Sequence, residues 1–167
     1  DEGTYEFFGP SRAYGWEAKL SAELGRRVSL SGGITKVGNA YYKDTFPRVY
    51  VDRAPHFVAH AGLTVSRWKG WSGSVRLRAI NHYRLDGEDP SVLAAGHTVI
   101  DCGVARQIAR GVELSLGVDN LTGRQYYETQ NYFESRLPGQ EPKYRIHGTP
   151  GYPATFIAGL TLRLWGK

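Results

Sequence analysis

The chain has 167 residues, a formal net charge of +5 and one cysteine. That length fits one ordinary domain, the lone cysteine excludes an internal disulfide, and no run approaches the roughly 18 apolar residues of a membrane-spanning helix. The basic residues are dispersed and no groove-binding helix or aromatic RNA platform occurs, so nucleic acid is not an expected partner.

In chain order the hydrophobic pattern is one of strands. Residues 11–24 place Trp16, Ala18 and Leu20 on one face and Glu17, Lys19 and Ser21 on the other. Side chains alternate across a strand with a period of two, so this is a strand with one apolar and one polar face. Gly25-Arg26-Arg27 makes a short turn into a second strand over 28–38, with Val28, Leu30 and Ile34 in phase. A longer loop leads to a third strand over 55–67, in which Phe57, Ala59, Ala61, Leu63 and Val65 share a face. Trp68-Lys69-Gly70 connects it tightly to a fourth strand over 71–84, where Arg76 and Arg78 alternate with Val75, Leu77 and Ala79. The loop LDGEDPSVLAAG carries the turn formers Asp86-Gly87 and Asp89-Pro90. A fifth strand follows over 97–107 and a sixth over 111–120, then a long loop over 121–150 and a closing strand over 152–165.

Long and short connections alternate, and the strands are longer than the usual five or six residues of soluble sheets. Both features suit a barrel that crosses a membrane with tilted strands, short turns at one end and long loops at the other. Alternating strands keep mean hydropathy low, so the value of −0.42 does not count against that reading. Trp68 and Trp71 flank a short turn, Trp165 lies at the same end, and Tyr14, Tyr41, Tyr42 and Tyr83 fall near the long loops. Two aromatic girdles are expected of such a wall. The fold class expected is therefore all-β, an antiparallel transmembrane β-barrel segment of about seven long strands. Seven strands leave a sheet open, and the sequence has neither an initiating Met nor an export leader, so a fragment or mature segment is expected.

No catalytic or metal chemistry is expected. His56 and His60 are four residues apart, which on a strand separates them by about 13 Å, too far to chelate one ion. Cys102 lies in phase with Ile100 and Val104 and reads as a small apolar residue. No Gly-x-Ser-x-Gly elbow, His-Glu-x-x-His helix or phosphate loop is present. The long loop YYETQNYFESRLPGQEPKYR mixes aromatic rings with cations, a combination suited to an anionic, partly aromatic ligand. Tyr132, Phe133, Arg136 and His147 are the candidate ligand contacts, with packing of the loop onto the rim as the competing role.

The last third carries two motifs. Asn120-Leu121-Thr122 is followed by Tyr126-Tyr127, and Thr149-Pro150-Gly151-Tyr152-Pro153 by Thr155-Phe156 and Gly159-Leu160. Together, in this order, they resemble the C-terminal end of TonB-dependent outer-membrane receptors, and GPSRAYGWEAKL near the start resembles another strand of that family. The resemblance implies that residues 1–167 are the C-terminal part of a barrel of about 22 strands, without its plug domain. It implies an outer-membrane receptor of a Gram-negative bacterium, not an enzyme, that imports a scarce ligand with energy from TonB. A ferric siderophore heads the ligand classes, followed by cobalamin, haem and oligosaccharides. The partners implied are TonB through the missing N-terminal region, the ligand, the lipid bilayer with its lipopolysaccharide, and the barrel assembly machinery. No cofactor is implied. The chain departs from the family where an aromatic terminus is usual: Leu164 takes that place, and Trp165 is the shifted candidate. A complete small outer-membrane barrel acting as porin, adhesin or enzyme is the rival reading, with TYEFF at 4–8 as its eighth strand.

Overall fold

The computed structural model describes residues 9–163. The TYEFF segment, Leu164 and Trp165 fall outside that range. Seven long strands form one antiparallel sheet: β1 (Ser11–Leu24), β2 (Val28–Tyr42), β3 (Phe57–Trp68), β4 (Trp71–Ile80), then β7 (His97–Ala109), β8 (Val112–Asp119) and β11 (Thr155–Leu162). Two small hairpins stand on the long connections: β5 (Tyr83–Arg84) with β6 (Leu93–Ala94), and β9 (Tyr127–Ser135) with β10 (Lys143–Pro150). Among the described residues the sheet is open, with β1 and β11 at its edges.

The register sorts the side chains by polarity across the sheet. One row runs Ala22, Leu30, Leu63, Val75, Cys102, Val118, Phe156 through successive strand pairs. The neighbouring row on the opposite face runs Glu23, Ser29, Thr64, Ser74, Gly103, Gly117, Ile157. A one-residue slip anywhere would exchange the two faces, so the apolar pattern itself fixes the pairing. Among the described residues the apolar face has no second layer: Leu20, Phe156 and Leu116 are 60%, 80% and 61% exposed. Soluble sheets bury such a face against another sheet or a helix.

The short turns close in the way their residues dictate. Lys69 and Gly70 both have positive φ, 52° and 83°, the two-residue turn whose twist matches its flanking strands, and it pairs Trp68 with Trp71. Burial is concentrated instead at the long-loop end, where Leu85, Ala94, Val99, Asn120 and Tyr126 are all less than a tenth exposed.

Three expectations need correction. The fourth strand stops at Ile80 instead of 84, because Asn81 turns its side chain back to accept the Phe57 N–H at 3.0 Å. The second strand runs on to Tyr42, since β1 continues to pair with it past a bulge at Tyr14/Gly15. The segment 121–150 is not an irregular loop but holds the β9–β10 hairpin, and the closing strand begins at Thr155, after Pro153.

Candidate functional site

The polar face bears its densest chemistry near the long-loop end, around Asp101. This carboxylate is 5% exposed. Its Oδ2 accepts two hydrogen bonds from Arg76, from Nε at 3.2 Å and Nη2 at 3.0 Å. Arg78 Nε lies 3.6 Å from the same oxygen. Oδ1 accepts the backbone N–H of Asn120 at 3.0 Å. Strand alternation puts Arg76, Arg78 and Asp101 on one face, and the β4–β7 register sets Arg76 directly opposite Asp101. A buried carboxylate is tolerated only when its lone pairs are used, and here both oxygens are.

Asn120 carries the same network into the loop. It is 1% exposed and has a φ of 52°, a conformation Asn tolerates better than most residues. Its Nδ2 donates to the Arg124 carbonyl at 2.8 Å and the Tyr152 carbonyl at 3.0 Å, and its Oδ1 accepts the Arg124 N–H at 3.0 Å. One side chain thus ties the turn after β8 to the approach to β11. Tyr126 completes the junction. Its backbone carbonyl accepts the Gly151 N–H at 2.9 Å, and its ring occupies the space where a Cβ on residue 151 would stand. Its hydroxyl donates to Glu128 Oε1 at 2.8 Å, and its ring packs on His97 with centroids 4.6 Å apart. Burial, then the Glu128 carboxylate, push the Tyr126 hydroxyl pKa above the usual phenol range.

Between these groups lies a polar notch of about 250 Å³, lined by Arg76, Arg78, Asp119, Tyr126, Glu128 and Tyr152. A larger hollow of about 530 Å³ continues along the same face past His60 and Ser31. Such surfaces hold polar groups by hydrogen bonding and charge, and they present no activated nucleophile beside a base. Among the described residues no cluster of His, Cys, Asp and Glu is arranged to hold a metal.

The four sequence candidates do not converge. In the β9–β10 register Phe133 faces Arg145 and Asn131 faces His147, whereas Tyr132 faces Ile146. Phe133 and His147 therefore share one face of the hairpin and stack, with centroids 4.0 Å apart and planes 10° apart. Tyr132 lies on the other face against Tyr144, at 5.3 Å. Arg136 sits beyond the last paired residue of β9. His147 Nε2 is buried without a hydrogen-bond partner among the described residues. Sequence reasoning missed Asp101, Asn120 and Glu128 as a cluster. Asp101 breaks an otherwise apolar stretch, HTVIDCGVAR, and that is the one signal it offers.

No protein-family model and no curated protein sequence matches this chain. Solved structures do match. The closed form of the ferric-catecholate import receptor Fiu from E. coli K12 superposes with a TM-score of 0.72 at 21% identity, over 97% of this chain and 22% of that one. The siderophore receptor PiuA from Acinetobacter baumannii gives 0.69 at 12% identity, over 91% and 22%. The copper transporter OprC gives 0.63 at 22% identity, over 91% and 24%. The chain spans less than a quarter of the length of each. It has the architecture of an antiparallel β-barrel wall with one apolar and one polar face. More particularly, the fold is that of a barrel segment of the TonB-dependent receptors.

Proposed function

We propose that residues 1–167 form the C-terminal part of the barrel of an outer-membrane receptor that imports a scarce ligand with energy from TonB. A ferric siderophore is the ligand this reading favours. The observation that carries it is the two-faced sheet: seven antiparallel strands whose apolar face has no partner layer among the described residues, on the fold of import receptors. In this reading the apolar face meets lipid and the polar face lines the lumen. The β9–β10 hairpin and the loop bearing β5 and β6 stand outside the cell. The plug domain and the segment that TonB grips belong to the part of the protein this chain does not contain. Binding is non-covalent, and the Asp101–Asn120 junction acts as scaffold for the outer loops.

The test is uptake of radiolabelled iron, supplied as a panel of siderophores, by the Gram-negative host with and without the full-length gene. The expected result is loss of one siderophore-dependent uptake on deletion, with the same loss when TonB is absent. Uptake unchanged by deletion overturns the siderophore assignment. Uptake that needs the gene but not TonB overturns the energised mechanism and favours a passive barrel.

A further inference from the structure

At the short-turn end the apolar face carries a cation with no carboxylate partner among the described residues. Arg106 lies opposite Trp71 and Leu114 in the register, on the apolar side of the sheet. Its guanidinium rests over the Trp71 ring, 4.8 Å from the centroid, and among the described residues it has no ion pair. Lys69 stands in the adjoining turn. The acids at this end, Glu23 and Glu113, fall on the polar face, where Glu23 pairs with Ser29 and Glu113 with Thr161. Arg67 and Arg163 line a notch on the polar face with Glu113, whereas Arg106 stands on the apolar side against an indole.

Directly above Arg106 the apolar wall is dented. Gly73 is two residues from Trp71, roughly 7 Å along the strand. It provides no side chain where its neighbours provide Val65, Val75 and Val104. The result is a groove of about 400 Å³, walled almost wholly by carbon, with Leu63, Val65, Val75, Val104 and Leu116 around Gly73. A hydrophobic furrow that begins two residues along the strand from a cation on an indole has the shape of an amphiphile with an anionic head.

We propose that this face binds an anionic phospholipid, its phosphate held by Arg106 against Trp71 and one acyl chain laid in the groove over Gly73. The assignment rests on the membrane reading above, in which the short turns face the periplasm and this rim meets the inner, phospholipid leaflet. Arg suits the task because its planar fork donates to two phosphate oxygens while its face stays on the ring. Lipid A, in the opposite leaflet, would meet the long-loop end instead.

The test is native mass spectrometry of the full-length protein, delipidated in a neutral detergent and offered equimolar phosphatidylglycerol and phosphatidylcholine of the same chains. The expected result is an excess of phosphatidylglycerol adducts that falls about fivefold in Arg106→Gln, the size of one cation near a lipid surface, and falls less in Arg106→Lys, which keeps the charge but loses the fork. Val104→Trp, which lays an indole across the groove from an exposed position, lowers adducts of both lipids. Equal retention of the two lipids, or an excess untouched by Arg106→Gln, overturns the site while leaving the membrane wall standing. A protein that stays folded and monodisperse without detergent and retains neither lipid overturns the membrane reading itself.

Discussion

The side chain of Gln130 closes on the backbone of Ala95 from both sides. Its Oε1 accepts the Ala95 N–H at 3.2 Å and its Nε2 donates to the Ala95 carbonyl at 3.0 Å. Gln130 is 7% exposed and the two residues are 35 positions apart. This pairing ties the loop bearing β5 and β6 to the β9–β10 hairpin.

Gln130→Leu removes both bonds and strands two backbone groups of Ala95. Loss of buried partners of this kind costs about 1–3 kcal/mol. Hydrogen exchange of the full-length protein should therefore show faster opening at residues 93–97, with strands β3 and β4 unchanged. Gln130→Glu keeps the acceptor and loses the donor, so it should fall between the two. Unchanged exchange at Ala95 in the Leu variant would show that the clamp bears no load.

Asp101 and Asn120 hold the next layer down. Asp101→Ala leaves Arg76 and Arg78 side by side on the polar face of β4 without their shared anion, and takes the acceptor from the Asn120 N–H. The arginines are 62% and 40% exposed, which moderates the loss to roughly 2 kcal/mol. Asn120→Ala adds backbone strain at positive φ to three lost hydrogen bonds, whereas Asn120→Gly relieves the strain alone. Denaturant unfolding of the folded full-length receptor should rank them wild type, Asn120→Gly, Asn120→Ala, in order of falling stability. Equal stability of the Gly and wild-type proteins would mean that the side-chain bonds contribute nothing.

These residues also mark the boundary of what the sequence makes legible. The strands were readable because Val75, Leu77 and Ala79 alternate with Arg76 and Arg78, and a period of two has one structural meaning. The β9–β10 hairpin was not, because its residues 127–135 and 143–150 follow no clean alternation: Tyr132 and Phe133 are both aromatic and point to opposite faces. The same fact dispersed the candidate site. Aromatic richness in a loop indicates affinity for rings, but the register decides which rings meet, and in a hairpin the turn and its loop length set that register, which residues 136–142 do not announce by any two-residue turn signal. The Asn120 and Tyr126 motif was recognisable as a pattern. Its physical content, a junction through the Tyr152 carbonyl and the space over Gly151, needs the fold.

The hairpin geometry makes a sharp statement about the candidate contacts. Phe133 and His147 stack on one face, so truncating either should disturb the other. A double-mutant cycle of Phe133→Ala and His147→Ala should give a coupling of about 0.5–1.5 kcal/mol in hairpin stability. The corresponding cycle of Phe133→Ala with Tyr132→Ala should be additive to within about 0.5 kcal/mol, since those rings lie on opposite faces. If the hairpin contacts the imported ligand, affinity should follow one of the pairs Phe133/His147 or Tyr132/Tyr144 and leave the other unmoved. Equal losses from Tyr132→Ala and Phe133→Ala would contradict the register.

Asp89 gives the turn in the loop bearing β5 and β6 a pH dependence of its own. Asp86 Oδ1 accepts the N–H groups of Glu88 and Asp89, and Asp89 Oδ1 accepts both the hydroxyl and the N–H of Ser91, at 2.6 and 2.8 Å. The Ser91 hydroxyl first, and its backbone N–H second, hold the Asp89 pKa below the usual carboxylate range. A depressed pKa in the folded turn means the charged form is favoured there. The turn's contribution is therefore complete above the ordinary Asp range and is lost as pH falls through the depressed value. The Ser91 amide should exchange more readily, relative to its intrinsic rate, once the pH drops below that point. Ser91→Ala should move the Asp89 titration, followed by carboxyl-carbon NMR, back toward its ordinary position, because the larger of the two donors is gone. A titration that does not move in the Ala variant would place the cause of the shift elsewhere in the loop.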